Sequence, residues 1–135
     1  MNEERVTSET GGQKGSKLAQ PSLIDPTFLH ELAVHCGLGA IKYSRDNWRK
    51  GYDFSLSYDA MCRHLFEWWN GQDDDPELGT SHLAAVAFHA MVLFVNRDAI
   101  SMETLPERFD NRPKGRYTLA EQTEVILMGQ EVPSS

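Results

Sequence analysis

Positive charge is scarce in this sequence: 13 Lys and Arg stand against 20 Asp and Glu, for a formal net charge of −7. Nucleic-acid backbones and anionic membranes are held mainly by excess Lys and Arg, so a general binder of either is excluded. A small anionic ligand is not, because a metal ion or a few local lysines reverse the field. Cysteine is nearly absent. Cys36 and Cys62 sit among apolar neighbours with no CxxC pattern, which excludes a disulfide framework and leads to buried free thiols as the expected state. Long apolar runs are missing too. The best of them, Leu83 to Val95, is well short of a membrane span, and no N-terminal stretch joins a basic start to an apolar core. The expectation is a soluble, cytoplasmic chain without membrane or nucleic-acid partners. Repeats and a strand pair with a hairpin signal are also lacking, and 135 residues suffice for one ordinary core. The expected fold class is all-α.

What is present centres on residues 58–96. Leu83 to Val95 is apolar at every position except His89, so a buried helix is expected there. At 100° per residue, His82, His89 and Asn96 fall within about 40° of one another, a polar stripe on an apolar rod. His89 and Asn96 read either as satisfied core or interface groups or as ligands. The preceding helix, Tyr58 to Asn70, has Met61, Cys62, Leu65, Phe66, Trp68 and Trp69 on one arc and Asp59, Arg63, His64 and Glu67 on the other. Between the helices lies an acidic turn, residues 71–79, with Asp73, Asp74, Asp75 and Glu77. An antiparallel hairpin would bring His64, Glu67, Asp75, Glu77 and His82 to one end of a bundle. Imidazole nitrogen and carboxylate oxygen are the ligand types of a divalent metal.

Three domain segments are expected. Residues 1–20 are polar and Gly-rich and read as a flexible arm, in which Lys14 and Lys17 are placed to meet phosphates or belong to a plain tail. Residues 21–98 form the helical core. Asp25-Pro26 starts a first helix that runs to about Cys36, with Gly37 or Gly39 as its stop or kink. Glu31 and His35 lie four apart on its polar face, as a solvated ion pair or with Glu31 as a further site carboxylate. A loop follows in which Tyr43 and Trp48 offer flat faces, Asn47 an amide, and Lys42 and Lys50 cations. Those groups suit a base and its phosphates, or the aromatics plug the core. Residues 99–135 form an extension, with a capping box at Thr118 to Glu121 opening a short helix to about Met128.

Several short patterns occur in an order that resembles a known family. They are Leu29-x-Glu31-Leu32-Ala33, Gly39-Ala40-x-Lys42-Tyr43, Asn47-Trp48-x-Lys50-Gly51, Arg63-His64-Leu65-x-x-Trp68, Asp73-x-Asp75-x-Glu77-x-Gly79 and His82-Leu83. Together they are similar to the phage dATP/dGTP diphosphohydrolase N-terminal family, itself similar in context to the MazZ enzymes and to the all-α MazG and HisE pyrophosphohydrolases. The resemblance implies a MazG-like helical bundle that hydrolyses a purine deoxynucleoside triphosphate to the monophosphate and pyrophosphate with Mg²⁺ or Mn²⁺, in the host cytoplasm if phage-encoded. On it, His64, Glu67, Asp75, Glu77 and His82 hold metal, and Glu67 or Glu31 orients water. Lys14, Lys17, Lys42 and Lys50 meet phosphates, and Tyr43, Asn47 and Trp48 face the base. The pattern departs at Ala85, where the family often has a second His. The alternative is a non-catalytic nucleotide-binding or interaction module. Helices this apolar in a short chain also predict a homodimer or homotetramer.

Overall fold

A computed structural model describes residues 4–113. The chain begins with an antiparallel hairpin, β1 (Glu4–Thr7) and β2 (Gln13–Ser16), in register Glu4 to Ser16 through Thr7 to Gln13. This corrects the all-α expectation: the protein is mostly helical and carries a small two-stranded sheet within the expected N-terminal arm. Gly11, read from sequence as a mark of flexibility, instead takes φ +89° in a closed turn, where the Ser8 amide donates to the Gly12 carbonyl at 2.8 Å. The hairpin is solvent-exposed over most of its length.

Helix α1 spans Pro26–Lys42. Its start is as expected: the Asp25 carboxylate accepts from the amides of Thr27 and Phe28 at 2.9 and 3.2 Å. Its end is not. The helix runs through both Gly37 and Gly39, each an interior cost of roughly 1 kcal/mol relative to alanine. Both glycines line the cleft described below.

Helix α2 spans Phe54–Trp69 and begins a turn earlier than the periodicity indicated. Asp53 at its N-cap makes no side-chain bond. The amide of Ser55 donates instead to Asn111 Oδ1 at 3.0 Å, so the cap comes from far along the chain.

Helix α3 spans His82–Ser101 and is capped by Ser81, whose Oγ accepts from the Leu83 amide at 3.1 Å. It lies antiparallel to α2, with His82 beside His64 and His89 beside Ser57, and packs against α1 on a second side. The buried centre holds Phe54, Ala84, Ala85, Val92 and Ile100. Burial of α3 is therefore partial, which corrects the expectation of a fully enclosed rod. Two neighbouring helices cover two sides, and Phe94 remains 79% exposed. By length and composition α3 is apolar enough to cross a membrane. Its polar stripe, however, bonds within the protein: Asn96 Nδ2 donates to the Trp48 carbonyl at 3.1 Å. Cys36 and Cys62 are free and half-buried. The expected helix at 118–128 lies outside the described residues.

Candidate functional site: a histidine–aspartate cluster at the floor of a cleft

The acidic turn between α2 and α3 is a folded element. The Asp75 amide donates to the Thr80 carbonyl at 2.8 Å, and the His82 amide to the Asp73 carbonyl at 3.0 Å. Asp75 Oδ1 accepts from the Glu77 amide at 2.9 Å. These bonds bury Asp75 to 7% exposure and set it against the end of the helix hairpin. Two groups from α1 hold the turn from behind. Glu31 Oε1 accepts from the Ser81 amide at 2.8 Å, and His35 Nδ1 lies 3.0 Å from Thr80 Oγ1.

His64, Asp75 and His82 converge there, each offering one ligand atom within 4.8 Å of the others. The two histidines meet Nδ1 to Nδ1 at 2.8 Å. Their tautomers follow from their neighbours. His82 Nε2 faces two acceptors, Gln72 Oε1 at 2.7 Å and Glu67 Oε2 at 3.3 Å, so it carries the proton and Nδ1 keeps its lone pair. His64 Nε2 faces the Arg63 guanidinium at 3.3 Å and accepts, so His64 donates Nδ1–H to His82. Burial above all, and then the neighbouring Arg63 guanidinium and His82 ring, push the His64 pKa below its usual value. Its imidazole is thus neutral at neutral pH, the form that ligates a metal. A second-row carboxylate on a ligand's other nitrogen, as Glu67 stands to His82, is the usual device for fixing such a tautomer.

The cluster opens into a cleft of about 810 Å³, a size suited to a small ligand. Of the residues anticipated from sequence, Lys42, Tyr43, Asn47, Trp48, His64, Asp75 and Glu77 line it. Trp48 sits edge-on to Phe88 at 6.4 Å, with the Arg49 guanidinium 4.4 Å over its ring. Lys42 pairs with Glu77 at 3.2 Å on the exposed rim. The structure does not bring the rest to the cleft lining. Lys14 lies in β2, Lys17 just beyond it, Lys50 in the 3₁₀ turn Asn47–Lys50, Glu31 behind Ser81, Glu67 behind His82, and His82 itself is fully buried beneath the lining. The cleft also takes in His35, Tyr52 and Arg63, not singled out as site groups, together with Arg45 and His89, which the sequence offers as a loop cation and as a core group or ligand. For His89 a signal existed, since it stands seven residues from His82 on the same helix face.

His89 carries a measurable consequence. Burial above all, with His64, His35 and Arg63 nearby, lowers its pKa to about 4. Unfolded histidine titrates near 6.5, so between pH 4 and 6.5 the unfolded chain binds the extra proton. Stability is complete above that window and falls as pH drops through it, by at most about 3 kcal/mol from this group. His35 and His64, also lowered by burial, add in the same direction. The urea midpoint at pH 5 is expected well below that at pH 7; equal midpoints would contradict the neutral buried histidines.

The fold and site together define a small helical domain in which a histidine–carboxylate donor cluster floors a cleft with aromatic and cationic walls. Residues 8–103 match the family described as dATP/dGTP diphosphohydrolase, N-terminal, and the chain belongs to that family. It is 40% identical over 73 residues to a protein of Salmonella phage PMBT28 named dATP/dGTP diphosphohydrolase. That alignment covers 54% of this chain and 25% of the phage protein, so the chain spans about a quarter of that relative's length. No solved structure matches.

Proposed function

We propose that this protein is a divalent-metal-dependent hydrolase that converts a purine deoxynucleoside triphosphate, dGTP or dATP, to the monophosphate and pyrophosphate. The observation that carries it is the meeting of His64, Asp75 and the fully buried His82, the first two of which line a cleft whose walls include Trp48, Tyr43 and Lys42. The phage relative's name supplies the substrate class.

The donor chemistry fits a metal. Two imidazoles and one carboxylate, buried together, suit Mn²⁺ or another first-row transition ion better than Mg²⁺, which prefers oxygen throughout. His64, Asp75 and His82 would hold it, and when bound it supplies charge neutralisation at phosphate and a more acidic water. The chain's own groups do the remaining work. Glu67 and Gln72 keep the His82 Nε2 proton in place, so that Nδ1 keeps its lone pair; ligation by both histidines would replace the His64–His82 hydrogen bond, with the His64 proton moved to Nε2. Lys42, Arg45 and Arg63, all on the cleft wall, are the cations available to a triphosphate. Trp48, pinned through its carbonyl by Asn96, offers an aromatic surface to the base. Water adds at the α-phosphorus as the bond to the bridging oxygen breaks, and pyrophosphate leaves. The same reading keeps a homodimer or homotetramer, supported by Phe66, Trp69 and Phe94 at 70, 82 and 79% exposure.

The test is pyrophosphate release from each of the four dNTPs with Mn²⁺, Mg²⁺ or EDTA. The expected result is release from dGTP or dATP alone, faster with Mn²⁺ and abolished by EDTA. Thermal stabilisation by the same nucleotides without release would replace the hydrolase with a nucleotide-binding module.

A further inference from the structure

Beneath the cleft runs a chain of hydrogen bonds separate from the metal-donor cluster. Tyr52 Oη lies 2.7 Å from Ser57 Oγ, and Ser57 Oγ lies 2.9 Å from His89 Nδ1. Ser57 is fully buried. Among the described residues the Tyr52 hydroxyl has no hydrogen-bond partner other than Ser57, and either oxygen of the pair can donate. With Tyr52 donating to Ser57, Ser57 donates its own proton to His89 Nδ1, which puts the proton of a neutral His89 on Nε2. No fully buried side-chain nitrogen or oxygen lacks a partner among the described residues. Nε2, which bonds to none of them, is therefore open to solvent, and the space that His89 lines is the cleft.

Position along α3 says what this donor meets. His82, His89 and Asn96 recur at seven-residue intervals, about 10.5 Å of rise each. His82 belongs to the metal-donor cluster and Asn96 holds the Trp48 loop. His89 stands between them, its ring 6.4 Å from that of His64 and 5.2 Å from that of Phe88, which in turn abuts Trp48. In a nucleotide the group between the phosphates and the base is the sugar. A neutral, orientation-fixed N–H suits a neutral hydroxyl oxygen, whereas phosphate draws on the metal and the cations.

We infer that His89, held in its Nε2–H form by the Tyr52–Ser57 hydroxyl pair, binds the 3′-oxygen of the nucleotide's sugar and so makes the site selective for a 3′-hydroxyl. Tyr52 and Ser57 are positioning residues that act through it. The inference deepens the proposed function and rests on it for the placement of phosphate and base.

Pyrophosphate release from dGTP and from its 2′,3′-dideoxy counterpart, compared in wild type and variants, tests it. Wild type is expected to show a KM about tenfold lower for dGTP, the worth of one hydrogen bond. His89→Phe removes the donor and should bring the two KM values together. His89→Gln, whose amide N–H sits near the position of Nε2, should keep the preference. Ser57→Ala, a mild change where the ring substitution fails to fold, frees the tautomer and should shrink the preference severalfold. Equal KM values in wild type, or a His89→Phe loss shared equally by both substrates, would overturn the sugar contact. If wild type releases no pyrophosphate at all, the hydrolase reading fails separately, and calorimetric titration with the same two nucleotides reads this one. Tighter dGTP binding that is lost in His89→Phe supports it; equal binding, or none, overturns it.

Discussion

His64→Ala is expected to reduce pyrophosphate release by at least about a hundredfold, with the loss mainly in kcat. Substitution of a group that merely orients a metal ligand commonly costs 10- to 100-fold, so loss of a ligand itself should exceed that range. His64 is one of three donors, and its Nδ1 lies 2.8 Å from that of His82. Removing it leaves two donors and a gap, and excess Mn²⁺ should restore only part of the rate. Glu67→Gln provides the comparison. A glutamine oxygen still accepts from His82 Nε2, as Glu67 does at 3.3 Å, so the tautomer survives and a loss within about 10- to 100-fold is expected. Circular dichroism should show both variants helical, because neither residue belongs to the buried apolar set of Phe54, Ala84, Ala85, Val92 and Ile100. Full activity in His64→Ala would remove the cluster from the reaction. A loss in Glu67→Gln as deep as in His64→Ala would make Glu67 a direct participant, the role expected of it from sequence.

The largest expected effect on stability belongs to Gly51, at the end of the turn that carries Trp48. Its backbone has φ +86° and ψ 150°, a region open essentially to glycine. A Cβ there would stand 2.6 and 2.8 Å from the Phe109 ring and 3.0 Å from Leu105 Cδ2. Backbone strain of about 1–3 kcal/mol and overpacking of similar size add, so Gly51→Ala should cost roughly 3 kcal/mol or more. That is a large share of an ordinary domain's stability. Phe109 and Leu105 belong to the segment that delivers Asn111 to the start of α2, so the damage spreads to that cap. Gly37→Ala is the control. Gly37 lies within α1, and a Cβ added there would have nothing within 4 Å of it, so alanine should leave stability unchanged or raise it by up to about 1 kcal/mol. Urea unfolding of both variants checks the pair, and equal midpoints would sink the account of Gly51.

Much of the fold was legible because its signals are local. Asp25-Pro26 announces α1 through a cap that reaches only three residues. The apolar stretch Leu83 to Val95, interrupted by His89 alone, announces α3, and Ser81 its first turn. Two glycine readings went wrong in opposite directions. Gly37 and Gly39 look like a stop, yet packing carries the helix past them to Lys42 and leaves their bare backbone on the cleft wall. Gly11-Gly12 looks like slack chain, yet the pair closes a hairpin turn. Backbone freedom permits either outcome, and sequence does not say which the surroundings select.

The sequence by itself determined the helical character of residues 26–101, the acidic turn, and the polar stripe of His82, His89 and Asn96, all of which follow from neighbours within a turn or two. Tertiary structure alone decided what those groups do. It set His64 against His82, moved Glu67 and Glu31 behind the donors as supports, left Lys14, Lys17 and Lys50 off the cleft lining, and brought Asn111 back to cap α2. A carboxylate's role depends on which nitrogen or amide lies within about 3 Å of it, and that distance is fixed by how helices far apart in the chain pack together.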